Sequence, residues 1–282
     1  TTSGSDRLSV SVSATDFSKL AVSLTSPQVS GVLFTGTNNL TALDAYGNTV
    51  TTFNAALNHI TVTTSLSGTI SGFVGGDVIL AAERFVNGVA DISTRLTYTG
   101  TAGTGTFTFT PASGTAVTSG NVVINSGEAT KLVVTGSGTQ TAGGSQTITV
   151  TAKDASGNTA TGYTGSHLIT FTGAASSPSP VTVPTVAGSN FGTEISLNFS
   201  NGVATASMVL YKAEVATITA VNGIIVSAGA DRLSVTVSPA AYAKLTTNLA
   251  TPQVNGVAFT GTNTLEAEDA YGNTVTSFDA SA

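Results

Sequence analysis

Hydrophobic and polar residues alternate along most of this chain. Leu8, Val10 and Val12 are separated by Ser9 and Ser11, and Phe107 and Phe109 stand between Thr106, Thr108 and Thr110. Ile148, Val150 and Ala152 alternate with Thr147, Thr149 and Thr151, and Ala204, Ala206, Met208 and Leu210 keep the same step. A period of two sends the apolar side chains of a strand to one face and the hydroxyls to the other, as antiparallel strands with one wet face require. No stretch sustains a helical period, so the pattern predicts an all-β protein.

The strands come in repeated sets. SDRLSVSVS at 5–13 returns as ADRLSVTVS at 230–238, and PQVSGVLFTGTNNL at 27–40 returns as PQVNGVAFTGTNTL at 252–265. The hexapeptide Asp44-Ala45-Tyr46-Gly47-Asn48-Thr49 recurs from Asp154 to Thr159 and from Asp269 to Thr274. Its glycines, Gly47, Gly157 and Gly272, are 110 and then 115 residues apart (157 − 47 and 272 − 157). Solenoid units are far shorter, roughly 20–50 residues, whereas about 100 residues suits a whole β-sandwich. Residues 14–126 and 127–239 are therefore expected to be two complete sandwich domains. Residues 1–13 read as the last strand of a preceding domain and 240–282 as the N-terminal part of a third. The two partial copies imply a window on a longer repetitive chain, or completion by a neighbour.

Composition narrows the function classes. Only 9% of residues are charged while 40% are hydrophobic, against roughly 25% charged in an average soluble domain. The polar surface must be Thr, Ser, Asn and Gly, which loses little charge solvation when packed against copies of itself. Hydrophobic content in regular alternation suits a packed core rather than disorder. No apolar run approaches the roughly 18–20 residues of a membrane-spanning helix, so no membrane insertion is expected in this segment. A net charge of −6 with 9 Lys and Arg leaves no basic stripe for nucleic acid. The absence of Cys excludes disulfides and thiol chemistry without deciding the compartment.

The internal copies sort faces and connections. Position 42 is alanine in all three (Ala42, Ala152, Ala267), while its neighbour is Leu43, Lys153 or Glu268. Ala42 is thus expected to point inward and Leu43 outward. The connections SATDFSKL (13–20), NSGEATKL (125–132) and SPAAYAKL (238–245) are short, predicting a semi-rigid array. The stretch 173–192, with three of the seven prolines, reads as a loop or edge segment at one end of the second sandwich.

The best-defined motif is the hexapeptide itself. Asp at its first position and Gly at its fourth predict a type I turn followed by a glycine of positive φ, with the Asp side chain capping backbone N–H groups. Asp44, Gly47 and Asn48, then Asp154, Gly157 and Asn158, then Asp269, Gly272 and Asn273 are accordingly structural turn residues. The third copy adds Glu266 and Glu268 beside Asp269, weak candidates for a cation because hard ions need several oxygens. His59 and His167 fall one position apart when the copies are aligned, and both are expected at exposed strand ends. No nucleophile elbow or triad stands out, so no catalytic residue and no cofactor is predicted.

The segments KLVV at 131–134, TAGGSQTITVTAKDASGNTATGYTG at 141–165 and FSNGVATASMVLYKAEVATITAV at 199–221, echoed by LTALDAYGNTV at 40–50, resemble the bacterial immunoglobulin-like (Big-type) tandem repeats of large surface proteins and adhesins. The resemblance implies tandem immunoglobulin-like antiparallel β-sandwiches and an extracellular, cell-surface setting. The expected function is a non-catalytic structural segment of a fibre, filament, stalk or sheath, with further copies of the same repeat as partners. A second reading stays open: an adhesin module binding a surface glycan or protein ligand through a loop such as 173–192, though that loop holds only one aromatic, Phe191.

Overall fold

Alternation decides which residues meet. In a computed structural model that describes residues 10–73, 78–79 and 85–281, the strand Asn39–Leu43 is flanked by Lys19–Ser23 and Val89–Asp91. The register sets Leu20 opposite Ala42 and Leu40 opposite Ala90, and all four are buried. The facing layer pairs Ile60–Thr64 with Phe107–Pro111 and Val78–Ile79, while Gly103–Gly105 pairs with Val122–Asn125. Gln28–Val29 closes this layer by pairing with Val122–Asn125 in parallel. Phe107 and Phe109 lie wholly inside, and the Phe34 ring meets Phe107 edge-on at 5.4 Å.

The chain divides into two compact units. One reaches to Gly127 and also contains Ser156–Asn158, and the other comprises Glu128–Ala155 and the residues from Thr159 onward. In the second unit one sheet runs Lys131–Thr135, Ser145–Lys153, Val203–Val209, Thr185–Val186, Ser189–Asn190. The other runs Thr139–Thr141, Leu233–Ser238, Val215–Asn222, Gly165–Thr172, Glu194–Phe199. Leu132, Ile148, Val150, Ala204 and Met208 from the first sheet pack with Ile169, Phe171, Ile218 and Val235 from the second. Among the seven longest strands in chain order, the first (Lys131–Thr135), second (Ser145–Lys153) and fifth (Val203–Val209) share one sheet, while the third (Gly165–Thr172), fourth (Glu194–Phe199), sixth (Val215–Asn222) and seventh (Leu233–Ser238) share the other, an immunoglobulin-like topology. Both units are antiparallel β-sandwiches of this type, and the described residues contain no α-helix.

Within the second unit, residues 240–281 add a two-stranded ladder, Tyr242–Asn248 with Thr264–Asp269. Its apolar face is open. Phe34 is 2% exposed in the first unit, but its counterpart Phe259 is 59% exposed; Leu40 is 0% exposed and its counterpart Leu265 64%.

Ala42 points inward, and Leu43 lies on the opposite face, where it is half-buried beside Lys19 and Thr49. Two expectations need correction. Val10–Ser13 form no strand, and Val10 and Val12 are exposed, since no described strand pairs with them; Leu8 and the rest of 1–9 lie outside the described residues. His59 is exposed, but His167 is half-buried, stacked on Tyr163 at 3.8 Å and edge-on to Phe199.

Candidate functional site

The first and third hexapeptide turns are wired almost alike from their own residues upward. Each begins as its strand ends: Asp44 N–H donates to Asn48 C=O at 2.9 Å, and Asp269 N–H to Asn273 C=O at 3.0 Å. The chain reverses through glycines of positive φ, 88° at Gly47, 84° at Gly157 and 80° at Gly272, a region that side chains with a Cβ resist. The buried carboxylate then gathers donors. Asp269 Oδ1 accepts from the N–H groups of Tyr271 (2.8 Å) and Asn273 (2.9 Å), and Oδ2 from Asn273 Nδ2 and Ala240 N–H, both at 2.8 Å. Asp44 repeats this with Tyr46 and Asn48 N–H, Asn48 Nδ2 and Thr15 N–H.

Four donors on one carboxylate stabilise its ionised form. Burial pushes the Asp269 carboxyl upward, but the hydrogen bonds from the Asn273 side chain and from the Ala240, Asn273 and Tyr271 backbone outweigh it and hold it below the ordinary range. The Asn48 side chain leads the donors that hold Asp44 well below the usual carboxylate range.

The copies differ in what the asparagine does next. Asn273 is buried, and its amide reaches outward to Tyr211–Ala213, the link between strands Val203–Val209 and Val215–Asn222. Nδ2 donates to Tyr211 C=O at 2.8 Å, and Oδ1 accepts from Ala213 N–H at 2.7 Å. A primary amide presents a donor and an acceptor in one plane, so it pairs with a carbonyl and an N–H two residues apart as a strand edge would. In the first compact unit Asn158 makes the same pair of bonds, donating to Gly100 C=O at 2.9 Å and accepting from Ala102 N–H at 2.9 Å. Gly100–Ala102 likewise links Thr97–Gly100 to Gly103–Gly105.

Around Asn273 the grip widens. The Tyr271 ring packs against Tyr211 at 5.1 Å, and Tyr271 C=O accepts from Ser179 N–H at 3.1 Å. Gly272 lies so close that a Cβ there would come within 2.7 Å of Ser179 C=O. The segment 173–192 thus supplies Ser179 to this contact, and it places Thr185–Val186 and Ser189–Asn190 at a sheet edge. Sequence reasoning named the turn residues but missed Tyr211, Ala213, Gly100, Ala102 and Ser179, which no local pattern marks. The available signal was the asparagine at the fifth position of every copy, more than turn closure alone requires.

The acidic candidates are not brought together. Glu266 is exposed, Glu268 pairs with Lys244 at 3.1 Å, and Asp269 is occupied by its four donors. Among the described residues no group of three or more His, Asp or Glu could hold a metal ion, and no helix is long and apolar enough to cross a membrane. His167 Nε2 meets Thr164 C=O at 3.1 Å.

Neither a protein family nor a curated protein sequence matches the chain. Among solved structures it is similar to InvD of Yersinia pseudotuberculosis (19% identity, 91% of this chain and 71% of that one, TM-score 0.37). It is also similar to domains 4–9 of the surface layer protein SbsC (18% identity, 93% of this chain and 38% of that one, TM-score 0.30). A third likeness is to invasin, a bacterial integrin-binding protein (18% identity, 83% of this chain and 42% of that one, TM-score 0.33). The chain spans less than half of the last two.

Proposed function

We propose that the chain is a non-catalytic structural segment of a long extracellular fibre, stalk or sheath at a bacterial surface. In this reading 14–126 and 127–239 are complete repeats, 240–282 opens the next, and the asparagine of a hexapeptide turn grips a strand link of the compact unit it belongs to, as Asn273 does at Tyr211–Ala213. The observation that carries the reading is the double hydrogen bond from Asn273 to Tyr211 and Ala213, with the same pattern from Asn158 to Gly100 and Ala102. Such a contact suits load-bearing. It addresses backbone atoms, so loop side chains vary freely (Gly100-Thr101-Ala102 against Tyr211-Lys212-Ala213) while the grip persists. The gripping amide is uncharged, so salt does not screen its bonds as it screens a surface ion pair. A buried, four-donor carboxylate, as at Asp269, holds the amide in place for its two backbone partners. The sandwich fold alone does not decide function; the support comes from the joint and from the charge-poor surface.

Gold-labelled antibodies against the chain, applied to intact and to opened cells of the source organism, test the reading. Label should decorate a fibre or a continuous layer outside intact cells. Label appearing only after the cells are opened would refute it.

A further inference from the structure

The first hexapeptide turn carries the same gripping apparatus, and among the described residues no strand link meets it. Asn48 is exposed, where Asn273 is buried. Its Nδ2 spends one hydrogen on Asp44 Oδ2 at 3.0 Å, as Asn273 does on Asp269, but its Oδ1 and second N–H meet no partner among the described residues. Beside it Tyr46 is 83% exposed, whereas the equivalent Tyr271 is half-buried against Tyr211. Asp44 is nevertheless fully wired, so the amide is pre-oriented before any partner arrives.

We infer that the Asp44–Thr49 turn is a docking site for the Tyr211–Ala213 link of another copy of this repeat. Asn48 bridges the Tyr211 carbonyl and the Ala213 N–H, and Tyr46 stacks on the Tyr211 ring. The occupant follows from continuity with the contact already formed: an identical Ala-Tyr-Gly-Asn turn, held by an equivalent carboxylate, docks on that link at Asn273. Ordering costs are small because the turn is already closed, which is how a preorganised surface binds with few contacts. The inference rests on the structural-repeat reading and adds to it the surface by which the array extends past its first complete sandwich.

The test extends the full chain at its amino end with a second copy of residues 1–225, so that residue 225 joins Thr1 and the 225-residue spacing (272 − 47) is kept. Lys212→Arg in the added copy distinguishes its peptide, and hydrogen–deuterium exchange is followed at both Ala213 amides. Both should be protected. Asn48→Ala should speed exchange of the added Ala213 by roughly tenfold or more, the scale of one lost hydrogen bond, and leave the Ala213 held by Asn273 unchanged. The same substitution in the unextended chain should leave its one Ala213 signal unmoved, separating a lost dock from a damaged turn. An added Ala213 that exchanges freely, or that ignores Asn48→Ala while the other responds to Asn273→Ala, overturns the inference and spares the structural reading. Free exchange at both overturns both.

Discussion

Replacing Asn273 by alanine removes three hydrogen bonds at once: to Tyr211 C=O (2.8 Å), from Ala213 N–H (2.7 Å) and to the Asp269 carboxylate (2.8 Å). A neutral bond contributes about 1 kcal/mol net and a bond to a charged group about 1.5–3. Water can reach the half-buried Tyr211 and Ala213 once the amide is gone, so the loss should be about 3 kcal/mol. That raises the detached population of residues 240–281 roughly a hundredfold, since each 1.4 kcal/mol is a factor of ten. The open apolar face of the segment adds no hold, because Leu245, Phe259 and Leu265 lie exposed, which leaves the Tyr271–Tyr211 packing and the Ser179 bond beside the asparagine. Exchange should therefore accelerate in Tyr242–Asn248 and at Ala213, while the core around Ile148 and Phe171 stays protected. Asn273→Asp sharpens the test. It keeps an acceptor for Ala213 N–H, loses the donor to Tyr211 and sets a second carboxylate beside Asp269, so at neutral pH it should do at least as much damage as alanine. Unchanged exchange at Ala213 in both variants would refute the claim that the asparagine holds the joint.

Further outcomes follow from the same geometry. Gly157→Ala should cost about 1 kcal/mol for positive φ alone, since nothing lies within 4 Å of its Cβ position, whereas Gly272→Ala adds a contact with Ser179 at 2.7 Å and should cost clearly more; equal costs in denaturant melts would contradict the close approach. Asp44 and Asp269 are held below their unfolded values, so their stabilisation is present above about pH 4 and is lost as pH falls from there toward their folded pKa values. Urea melts at pH 7 and pH 3 should show it, and Asn48→Ala should flatten the acid limb. Phe109→Ala, at a wholly buried site, should destabilise the first unit by about 3–5 kcal/mol, and calorimetry should show it as a lowered transition. A chelator should leave the melting temperature unmoved, because the Asp269 oxygens already accept four N–H donors.

The alternation of Phe107 and Phe109, and of Ile148, Val150 and Ala152, already told which side chains would be buried, because a strand has only two faces. The Asp-x-x-Gly spacing told where the chain would reverse, since turn closure depends on a few neighbouring residues. Sequence stopped short wherever the outcome depended on what lies across space. Asn48 and Asn273 sit in the same Asp-Ala-Tyr-Gly-Asn-Thr string, yet one is exposed and the other buried with a double hydrogen bond. Phe34 and Phe259 share a motif, and one is core while the other is surface. Local sequence determines the direction in which a side chain points and the bonds it can offer. Whether those bonds are made depends on a second segment tens of residues away, here Tyr211–Ala213, and only tertiary structure brings it within 3 Å.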